Sequence, residues 1–326
     1  MDALYVVGAG GIGCAIGYSL AAAGARVIFV DTDPEKVQWG KTHGVRVGRK
    51  TPQSAEFLIF EDWNPSADAT VFLCTKCYDN AAVLARLRDS ITVIPVQNGF
   101  DPALEARRHA CEGIASYVSE CYLHRPHTRI TRAGRLHIGS RYPGAGSLAF
   151  EWVDRLRRAS VFATTQVPEI LPYKYTKLMY NAAISSVAAM AGLDNGQLLW
   201  ILKARRLFFA LLRENYAVLK NSGITLGKIG PFHPDTVNRI LQRKLLANAL
   251  AWAFYPSLRG SYCSMSGDLP KGKTEIDYYN GRLIELAGNY PCPFNRAVYG
   301  MVKRMEREKI PPGLSVLDEV VVGGGL

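Results

Sequence analysis

A glycine-rich turn near the start of the chain constrains the fold more than any other feature. The apolar run Leu4 to Val7 is predicted to be a buried strand that leads into Gly8-Ala9-Gly10-Gly11-Ile12-Gly13, and the Ala-rich segment that follows, to about Ala23, is predicted to be helical. In the pattern G-x-G-x-x-G, which these residues fit, the first glycine permits a tight turn and the second lets the backbone approach a pyrophosphate. The third lets helix and strand pack closely, and the pyrophosphate would lie on N–H groups at the start of the helix.

A second apolar run gives the turn its context. Arg26 to Val30 is predicted to be a strand, and it ends in Asp31, where an acidic side chain can accept hydrogen bonds from an adenosine ribose. Strand, glycine turn, helix, strand and acid follow one another in the order that dinucleotide binding requires. The alternative is a glycine-rich turn without a ligand, and the surrounding pattern disfavours it.

The length of 326 residues predicts two domains, each large enough for a stable core. Up to residue 166, short apolar runs alternate with helical patterns, which predicts an α/β domain with a Rossmann-type doubly wound parallel sheet. From residue 167 to 326 helical periodicity takes over and predicts an all-helical domain for substrate and catalysis, with the active site in the cleft between the two domains. Besides the segments above, the predicted strands are Phe57 to Phe60, Thr70 to Thr75, Ile91 to Val96 and a hairpin at Gly134 among paired short strands from Ile114 to Ile138. The predicted helices are Pro34 to His43, Asn80 to Leu87, Ser147 to Ala159, Ile170 to Met190, Gly196 to Ser222, Asp235 to Phe254, Glu275 to Ala287 and Asn295 to Lys309.

Composition and charge exclude several classes of function. The seven cysteines are scattered and odd in number, and the chain begins directly with a strand, so a reducing, cytoplasmic location is expected. The pair Cys74 and Cys77 has the spacing C-x-x-C, but no second pair or histidine cluster completes a metal site. No stretch is long and apolar enough to span a bilayer. The net charge of +11 is spread through predicted helices and forms no nucleic-acid motif, which favours ordinary solvated faces. An anionic cofactor and an acidic substrate are consistent with this charge.

Polar residues mark the positions where chemistry is expected. Lys76 and Asn98 follow predicted strands, at the edge of the sheet where ligands bind in this kind of fold. In the helical half, Lys177, Asn181 and Ser185 recur at intervals of four and therefore share one helix face. Their neighbours are apolar, which favours a function for this polar stripe, although an ordinary surface lysine is the alternative and Lys174 is a weaker rival on the same face.

A second polar segment runs from Ser264 to Gly281. It is predicted to be a Gly- and Pro-containing loop that enters a helix, with Glu275 and Asp277 in the first helical turn. Acids in a first turn are often only partners of the helix dipole, and this explanation suits Asp277 better than Glu275.

Together these pieces resemble the ketopantoate reductase family, which reduces a 2-oxo acid to a 2-hydroxy acid with a nicotinamide cofactor. The resemblance covers nearly the whole chain in family order and implies a small anionic 2-oxo acid as substrate and an NAD(P)-dependent oxidoreductase acting on CH–OH groups. The matching pieces are the glycine turn, Cys74-Thr75-Lys76, Gln97-Asn98-Gly99, Lys177-Leu178-Met179-Tyr180-Asn181, Asp194-Asn195-Gly196, Ser264-Met265, Lys273-Thr274-Glu275-Ile276-Asp277 and Asn280-Gly281.

The resemblance implies that Lys177 is the proton donor. A positioned ammonium group can stabilise the negative charge that grows on the carbonyl oxygen during hydride transfer and can supply the proton. Three residues are implied to bind the substrate, namely Asn181, Asn195 and Ser264. Asn98 is implied to contact both cofactor and substrate, Glu275 to contact the cofactor and orient the active site, and Lys76 and Ser119 to contact the cofactor.

Two positions depart from the family pattern. Ser185 stands where the family has a second active-site asparagine, and the shorter side chain leaves more room for a substrate or calls for a water. Asp31 stands where members that use the phosphorylated cofactor present a basic or neutral side chain, and a carboxylate there repels a 2′-phosphate. The sequence therefore predicts NAD, with NADP left open because Lys76 could neutralise Asp31 or contact a phosphate.

The leading hypothesis is an NADH-dependent reductase of branched or bulky 2-oxo acids. Ketopantoate reductase proper, which uses NADPH in pantothenate synthesis, is the first alternative, and an opine-type dehydrogenase and a non-catalytic NAD(P)-binding redox sensor are more distant ones. A homodimer is one assembly that the sequence leaves open. Trp200, Trp252 and Tyr262 could line a pocket for a bulky acid, but aromatic residues in helical domains are more often core.

Overall fold

The computed structural model describes residues 4–142, 146–158 and 161–324. They form two compact units, Met1–Leu171 and Pro172–Leu326. A strand that was not predicted, Ala163–Glu169, pairs with the strand Arg135–Ser140 and so extends the first unit past residue 166, where the sequence had placed the domain boundary.

The first unit is built around a five-stranded, all-parallel sheet with the order β4-β2-β1-β5-β6. This arrangement confirms the predicted doubly wound sheet. The chain leaves β1 towards β2 on one side and later towards β5 on the other, so the strand order reverses beside β1, which is where such sheets bind ligands. The strands of this unit are β1 (Leu4–Val7), β2 (Val27–Asp31), β3 (Arg46–Val47), β4 (Glu56–Ile59), β5 (Thr70–Leu73), β6 (Thr92–Pro95), β7 (Cys111–Ala115), β8 (Val118–Cys121), β9 (His127–Arg132), β10 (Arg135–Ser140) and β11 (Ala163–Glu169).

The core of this unit follows from the two-residue period of its strands. All four residues of β1 are buried, as expected for a parallel strand with both faces covered. Val6 packs in one hydrophobic cluster with Phe29 and Phe72, whereas its neighbours Tyr5 and Val7 belong to a second cluster. The helices of the unit are α1 (Gly11–Ala22), α2 (Pro34–His43), α3 (Asn80–Leu84), α4 (Pro102–Ala106) and α5 (Gly146–Arg157).

The prediction of a hairpin at Gly134 is wrong, because the strands on either side of it do not pair with each other. β9 pairs with β8 and β3, while β10 pairs with β7 and β11, so Gly134 links two different three-stranded sheets. A glycine is needed there because a Cβ would lie 2.4 Å from the backbone nitrogen of Tyr117. The glycine thus marks a close approach of two backbone segments and not a turn between paired strands.

The second unit is helical, and three of its predicted helices have different boundaries. The segment from Gly196 to Ser222 breaks at Ile201, whose backbone is extended, and Arg205 donates to the carbonyl of Leu199 at 2.7 Å, which completes the end of the first piece. The segment from Asp235 to Phe254 breaks at Arg243, also extended. The helices are α6 (Leu171–Ala191), α7 (Asn195–Trp200), α8 (Leu202–Asn221), α9 (Pro234–Leu241), α10 (Lys244–Leu258), α11 (Ser264–Asp268), α12 (Arg282–Ala287), α13 (Pro293–Glu308) and α14 (Val316–Gly324).

The third difference concerns the segment that carries Glu275. A π-helix, Asp277–Gly281, runs directly into α12, so Glu275 precedes the helix instead of lying in its first turn. Helices α11 and α14 were not predicted. Within the described residues, no helix combines the length and the apolar character needed to cross a membrane.

Candidate active site

The glycine turn follows β1 and has the geometry that its pattern requires. Gly8 has φ +94°, which favours glycine, and a Cβ there would lie 2.8 Å from the nitrogen of Thr75. At Gly13 a Cβ would lie only 2.0 Å from the carbonyl oxygen of Gly8, so the start of α1 can approach β1 only without a side chain. Gly10, by contrast, faces open space, with no atom within 4 Å of an added Cβ, and no side chain caps the helix that it begins.

This open side of Gly10 fits a bound diphosphate. The first N–H groups of a helix have no partner within the helix, and they carry a partial positive charge. A turn that is closely packed at Gly8 and Gly13 but open at Gly10 exposes these donors to an anion from outside. The first unit is therefore shaped to hold a dinucleotide at this turn.

Asp31, the last residue of β2, is bound to the turn. Its carboxylate accepts a hydrogen bond from the N–H of Ala9 at 2.8 Å and another from the N–H of Asp33 at 3.0 Å. Lys36, in the first part of α2, lies with its Nζ 3.3 Å from the same carboxylate. Burial lowers the pKa of Lys36, but the charge and hydrogen bond of Asp31 and the nearby thiols of Cys121 and Cys14 together raise it above its usual value, so Lys36 carries its positive charge beside Asp31 at neutral pH.

The sequence analysis did not identify Lys36. It named Lys76 as the basic residue that could neutralise Asp31, whereas the structure pairs Asp31 with Lys36. Pro34 at the start of α2 is a signal that could have found it, because a helix that begins directly after the strand returns the side chain of Lys36 to the strand end. Lys76 itself is partly exposed and follows Thr75, the residue that packs against Gly8.

A buried polar network holds the ends of β5 and β6. The Gln97 amide donates to Asn80 Oδ1 at 2.7 Å and to the carbonyl of Thr75 at 2.8 Å, and the Asn80 amide donates to Asp101 at 2.7 Å. Asn98 follows directly on this framework. Its Oδ1 is buried and has no hydrogen-bond partner among the described residues, which marks it as an atom that a ligand could satisfy.

Ser119 also lies at the glycine turn. A Cβ on Gly11 would come within 2.7 Å of both the carbonyl oxygen and the hydroxyl of Ser119, so β8 packs directly on the first turn of α1. The structure thus gathers the glycine turn, Asp31 and Ser119 in the first unit, and the cofactor roles of all three stay predictions.

In the second unit, α6 carries the polar stripe. Lys177 and Asn181 are partly exposed and Ser185 is buried, whereas the rival Lys174 is only 2% exposed. An accessible ammonium group suits a proton donor better than a buried one, so this difference favours Lys177 over Lys174.

The segment between α10 and α11 brings the other predicted substrate residues to α6. The N–H of Asn195 donates to the carbonyl of Ser261 at 2.9 Å, and Cys263, directly before Ser264, donates its thiol to the carbonyl of Ser185 at 3.4 Å. The side-chain oxygens of Asn195 and Ser261 are both buried and lack a partner in the part of the chain that the structure describes. Ser261 was not identified from the sequence, since no motif included it.

Glu275 is buried at 4% exposure, and it accepts a hydrogen bond from the hydroxyl of Tyr279 at 3.1 Å. Asn280, in the same segment, donates to the carbonyl of Ala182 at 3.0 Å and so ties the segment to α6 one residue beyond Asn181. Asp277 instead pairs on the surface with Lys303 at 3.0 Å, which agrees with a structural role.

The three aromatic side chains considered for a pocket are not core. Trp200 is 60% exposed, Trp252 is 57% exposed and Tyr262 is 53% exposed. Cys74 and Cys77 are not joined in a disulfide, and burial raises the pKa of Cys74 far above its usual value. Among the described residues no group of three or more His, Cys, Asp or Glu side chains is arranged to hold a metal ion.

Comparison with known proteins matches both units. The family model for ketopantoate reductase PanE/ApbA matches residues 4–141, and the model for the ketopantoate reductase PanE/ApbA C terminal matches residues 169–306. The chain is 24% identical to the 2-dehydropantoate 2-reductase of Pyrococcus abyssi, over 93% of this chain and 97% of the relative.

Two solved structures have a similar fold. The ternary structure of D-mandelate dehydrogenase with NADH and anilino(oxo)acetate has a TM-score of 0.77 at 19% identity, with 94% of this chain and 99% of that chain covered. A dimeric ketopantoate reductase from Staphylococcus aureus has a TM-score of 0.70 at 17% identity, with 94% of this chain and 100% of that chain covered.

Proposed function

The chain belongs to the ketopantoate reductase family, and from this we propose that it is an NADH-dependent reductase of branched or bulky 2-oxo acids. Membership makes it an NAD(P)-dependent oxidoreductase that acts on CH–OH groups. The observation that carries the proposal is the position of Asp31, whose carboxylate lies at the end of β2 and is hydrogen-bonded to the glycine turn at Ala9. The substrate class, the choice of cofactor and the roles of individual residues are the proposed parts.

We assign the proton transfer to Lys177. When bound, the nicotinamide supplies the hydride. The Lys177 ammonium group stabilises the charge that develops on the carbonyl oxygen of the substrate and donates a proton to that oxygen, while Asn181 on the same face of α6 binds the substrate. Glu275 supports the site from the segment that Asn280 ties to α6.

The carboxylate of Asp31 favours NADH. A ribose hydroxyl can donate to this carboxylate, whereas a 2′-phosphate in its place would bring two negative charges together. The solved structure of D-mandelate dehydrogenase, which has a similar fold, contains NADH. Lys36 limits the repulsion, because its ammonium group lies 3.3 Å from Asp31.

Opposite substitutions in this ion pair are expected to move cofactor preference in opposite directions. Asp31→Asn removes the negative charge but keeps an oxygen for the Ala9 N–H, and it should raise the ratio of kcat/KM with NADPH to kcat/KM with NADH by about tenfold or more, equivalent to about 1.4 kcal/mol. Lys36→Gln leaves Asp31 uncompensated and should lower the same ratio. Initial rates with both cofactors give the ratio, and a shift of both variants in one direction would contradict the assignment.

The choice of a substrate larger than ketopantoate rests on one residue type and two side-chain oxygens in the second unit. Ser185 replaces a longer asparagine on α6, and the nearby oxygens of Asn195 and Ser261 are available to hydrogen-bond donors. A water or a substrate hydroxyl could satisfy them. The ligand anilino(oxo)acetate in the D-mandelate dehydrogenase structure also carries an aromatic group.

The direct test is oxidation of NADH and of NADPH, in parallel, against a panel of branched and aromatic 2-oxo acids that includes ketopantoate. We expect the highest kcat/KM with NADH and an acid other than ketopantoate. Preference for NADPH and ketopantoate would replace the proposal with ketopantoate reductase proper. That alternative has a specific observation in its favour, because Lys36 already offsets the charge that would exclude a phosphate.

We further propose a homodimer in the cytoplasm. A ketopantoate reductase of similar fold is dimeric, and none of the seven cysteines, all of which lie in the described residues, forms a disulfide, as a reducing compartment allows. Light scattering on the purified protein tests the assembly.

A further inference from the structure

Two cysteines lie together beneath the glycine turn. Cys14, in α1, donates its thiol to the carbonyl oxygen of Ala9 at 3.2 Å, and Cys121, at the end of β8, reaches the same oxygen at 3.5 Å. Both sulfur atoms contact one oxygen and the two side chains also hydrogen-bond each other, so they are near neighbours although they lie far apart in the sequence. The packing of Gly11 against Ser119 holds their two elements together.

We propose that Cys14 and Cys121 form a peroxide-sensitive dithiol, whose oxidation to a disulfide weakens dinucleotide binding at the glycine turn. Formation of the disulfide requires hydrogen peroxide or another hydroperoxide as oxidant. The effect on binding rests on the proposed function of the turn, whereas the disulfide itself does not.

The surroundings give the two thiols different roles. The single S–H of Cys14 is shared between the Ala9 carbonyl and the sulfur of Cys121, and this hydrogen bond lowers the pKa of Cys121. The positive charge of Lys36 lowers it further, against the opposing effect of burial. Burial raises the pKa of Cys14, which therefore stays protonated. Cys121 is partly exposed and Cys14 is fully buried, so a small oxidant reaches Cys121 first.

The reaction balances with one peroxide. The Cys121 thiolate attacks one peroxide oxygen, the O–O bond breaks, and the second oxygen leaves as hydroxide, which takes up a proton to become water. The resulting sulfenic acid is attacked at sulfur by Cys14, the S–O bond breaks, and the hydroxyl group leaves with the Cys14 proton as a second water. The sulfurs together lose two electrons, and an added dithiol can reverse the reaction.

Oxidation affects the turn through Ala9. Both polar backbone groups of Ala9 are hydrogen-bonded. Its N–H donates to the carboxylate of Asp31, and its carbonyl oxygen contacts the two thiols. A disulfide has no S–H donor, so the buried carbonyl loses both interactions, and the shorter S–S distance pulls β8 towards α1. Both changes disturb the turn at the position where it presents its N–H groups to a diphosphate.

The test uses the full-length protein, reduced and then treated with stoichiometric hydrogen peroxide. We expect a peptide that contains Cys14 linked to Cys121 in non-reducing mass spectrometry, and a free-thiol count that falls by two from seven. The Kd for NADH, measured by fluorescence, should rise by about tenfold and return after treatment with dithiothreitol. Recovery of both cysteines unlinked, or a linked peptide with an unchanged Kd, would overturn the proposal.

Three variants separate the dithiol from general oxidation. Cys121→Ser and Cys14→Ser should each abolish the linked peptide and make the Kd insensitive to peroxide, and the partly exposed Cys121 allows the test even if Cys14→Ser folds poorly. Cys111→Ala is the control, because Cys111 lies in the core of the same unit and burial raises its pKa to about 12. This variant should respond to peroxide like the unaltered protein. If the reduced protein bound neither NADH nor NADPH, the cofactor assignment would fail, while the linked peptide would still decide whether the dithiol exists.

Discussion

Replacement of Lys177 by alanine is expected to lower kcat by about 10²- to 10⁴-fold, the usual contribution of a positioned acid or base. The Kd for NADH should stay within about twofold, because Lys177 lies in the second unit and is assigned to the substrate carbonyl. Steady-state kinetics and fluorescence binding on the same preparation measure both quantities.

Lys177→Arg is the matched control for charge. Its guanidinium group keeps the positive charge but does not give up a proton near neutral pH, so kcat should recover only in part. Near-normal turnover in Lys177→Ala would refute the mechanism. A redox sensor without catalytic activity would show no turnover in the unaltered protein and unchanged cofactor binding in the variant.

Gly13→Ala should have the largest effect on the first unit. The added Cβ would lie 2.0 Å from the carbonyl oxygen of Gly8, which is backbone and cannot move aside without opening the contact between α1 and β1. We expect a loss of at least about 2 kcal/mol in the free energy of unfolding, in the range of an overpacked core. Dinucleotide binding should weaken by about 100-fold or more, because the helix start moves away from the turn.

Gly10→Ala is the matched comparison in the same turn. A Cβ there meets no protein atom within 4 Å, so the stability of the protein should change little while the methyl group obstructs the bound diphosphate. Chemical denaturation and NADH titration of the two variants therefore separate packing from binding. Equal losses of stability in both would show that neither glycine acts as described.

The central sheet could be predicted because its signal is local. Each of its strands is a short apolar run, and the alternation of Tyr5, Val6 and Val7 between two clusters follows from the two-residue period of any strand. The start of α2 at Pro34 agrees with the prediction for the same reason, since proline suits the first position of a helix.

The helix breaks could not be predicted, because the apolar period continues through them. Ile201 is neither glycine nor proline, yet its backbone is extended and α7 ends there, with the Arg205 side chain donating a hydrogen bond to the carbonyl of Leu199. Gly134 was misread because a glycine required for close approach and a glycine required for a turn look alike in a sequence.

The positions of the candidate residues in the fold were predictable where a local pattern fixed them. The strand that follows the glycine motif placed Asp31 at a strand end, and the spacing of four placed Lys177, Asn181 and Ser185 on one helix. Lys36 and Ser261 could not be identified from the sequence because their significance depends on contacts made in the folded chain. Lys36 forms an ion pair with Asp31, and the carbonyl of Ser261 accepts a hydrogen bond from Asn195.

The hydrogen bond from the Ala9 N–H to Asp31 limits the substitutions at position 31 that redesign or evolution could make. The carboxylate of Asp31 holds the glycine turn and, in the proposed function, also discriminates between the two cofactors, so any substitution that admits a phosphate must leave an acceptor for the Ala9 N–H. Asparagine meets both conditions, whereas alanine or arginine would admit the phosphate and loosen the turn. Few substitutions at this position can therefore change the cofactor without destabilising the turn, and those few keep a side-chain oxygen.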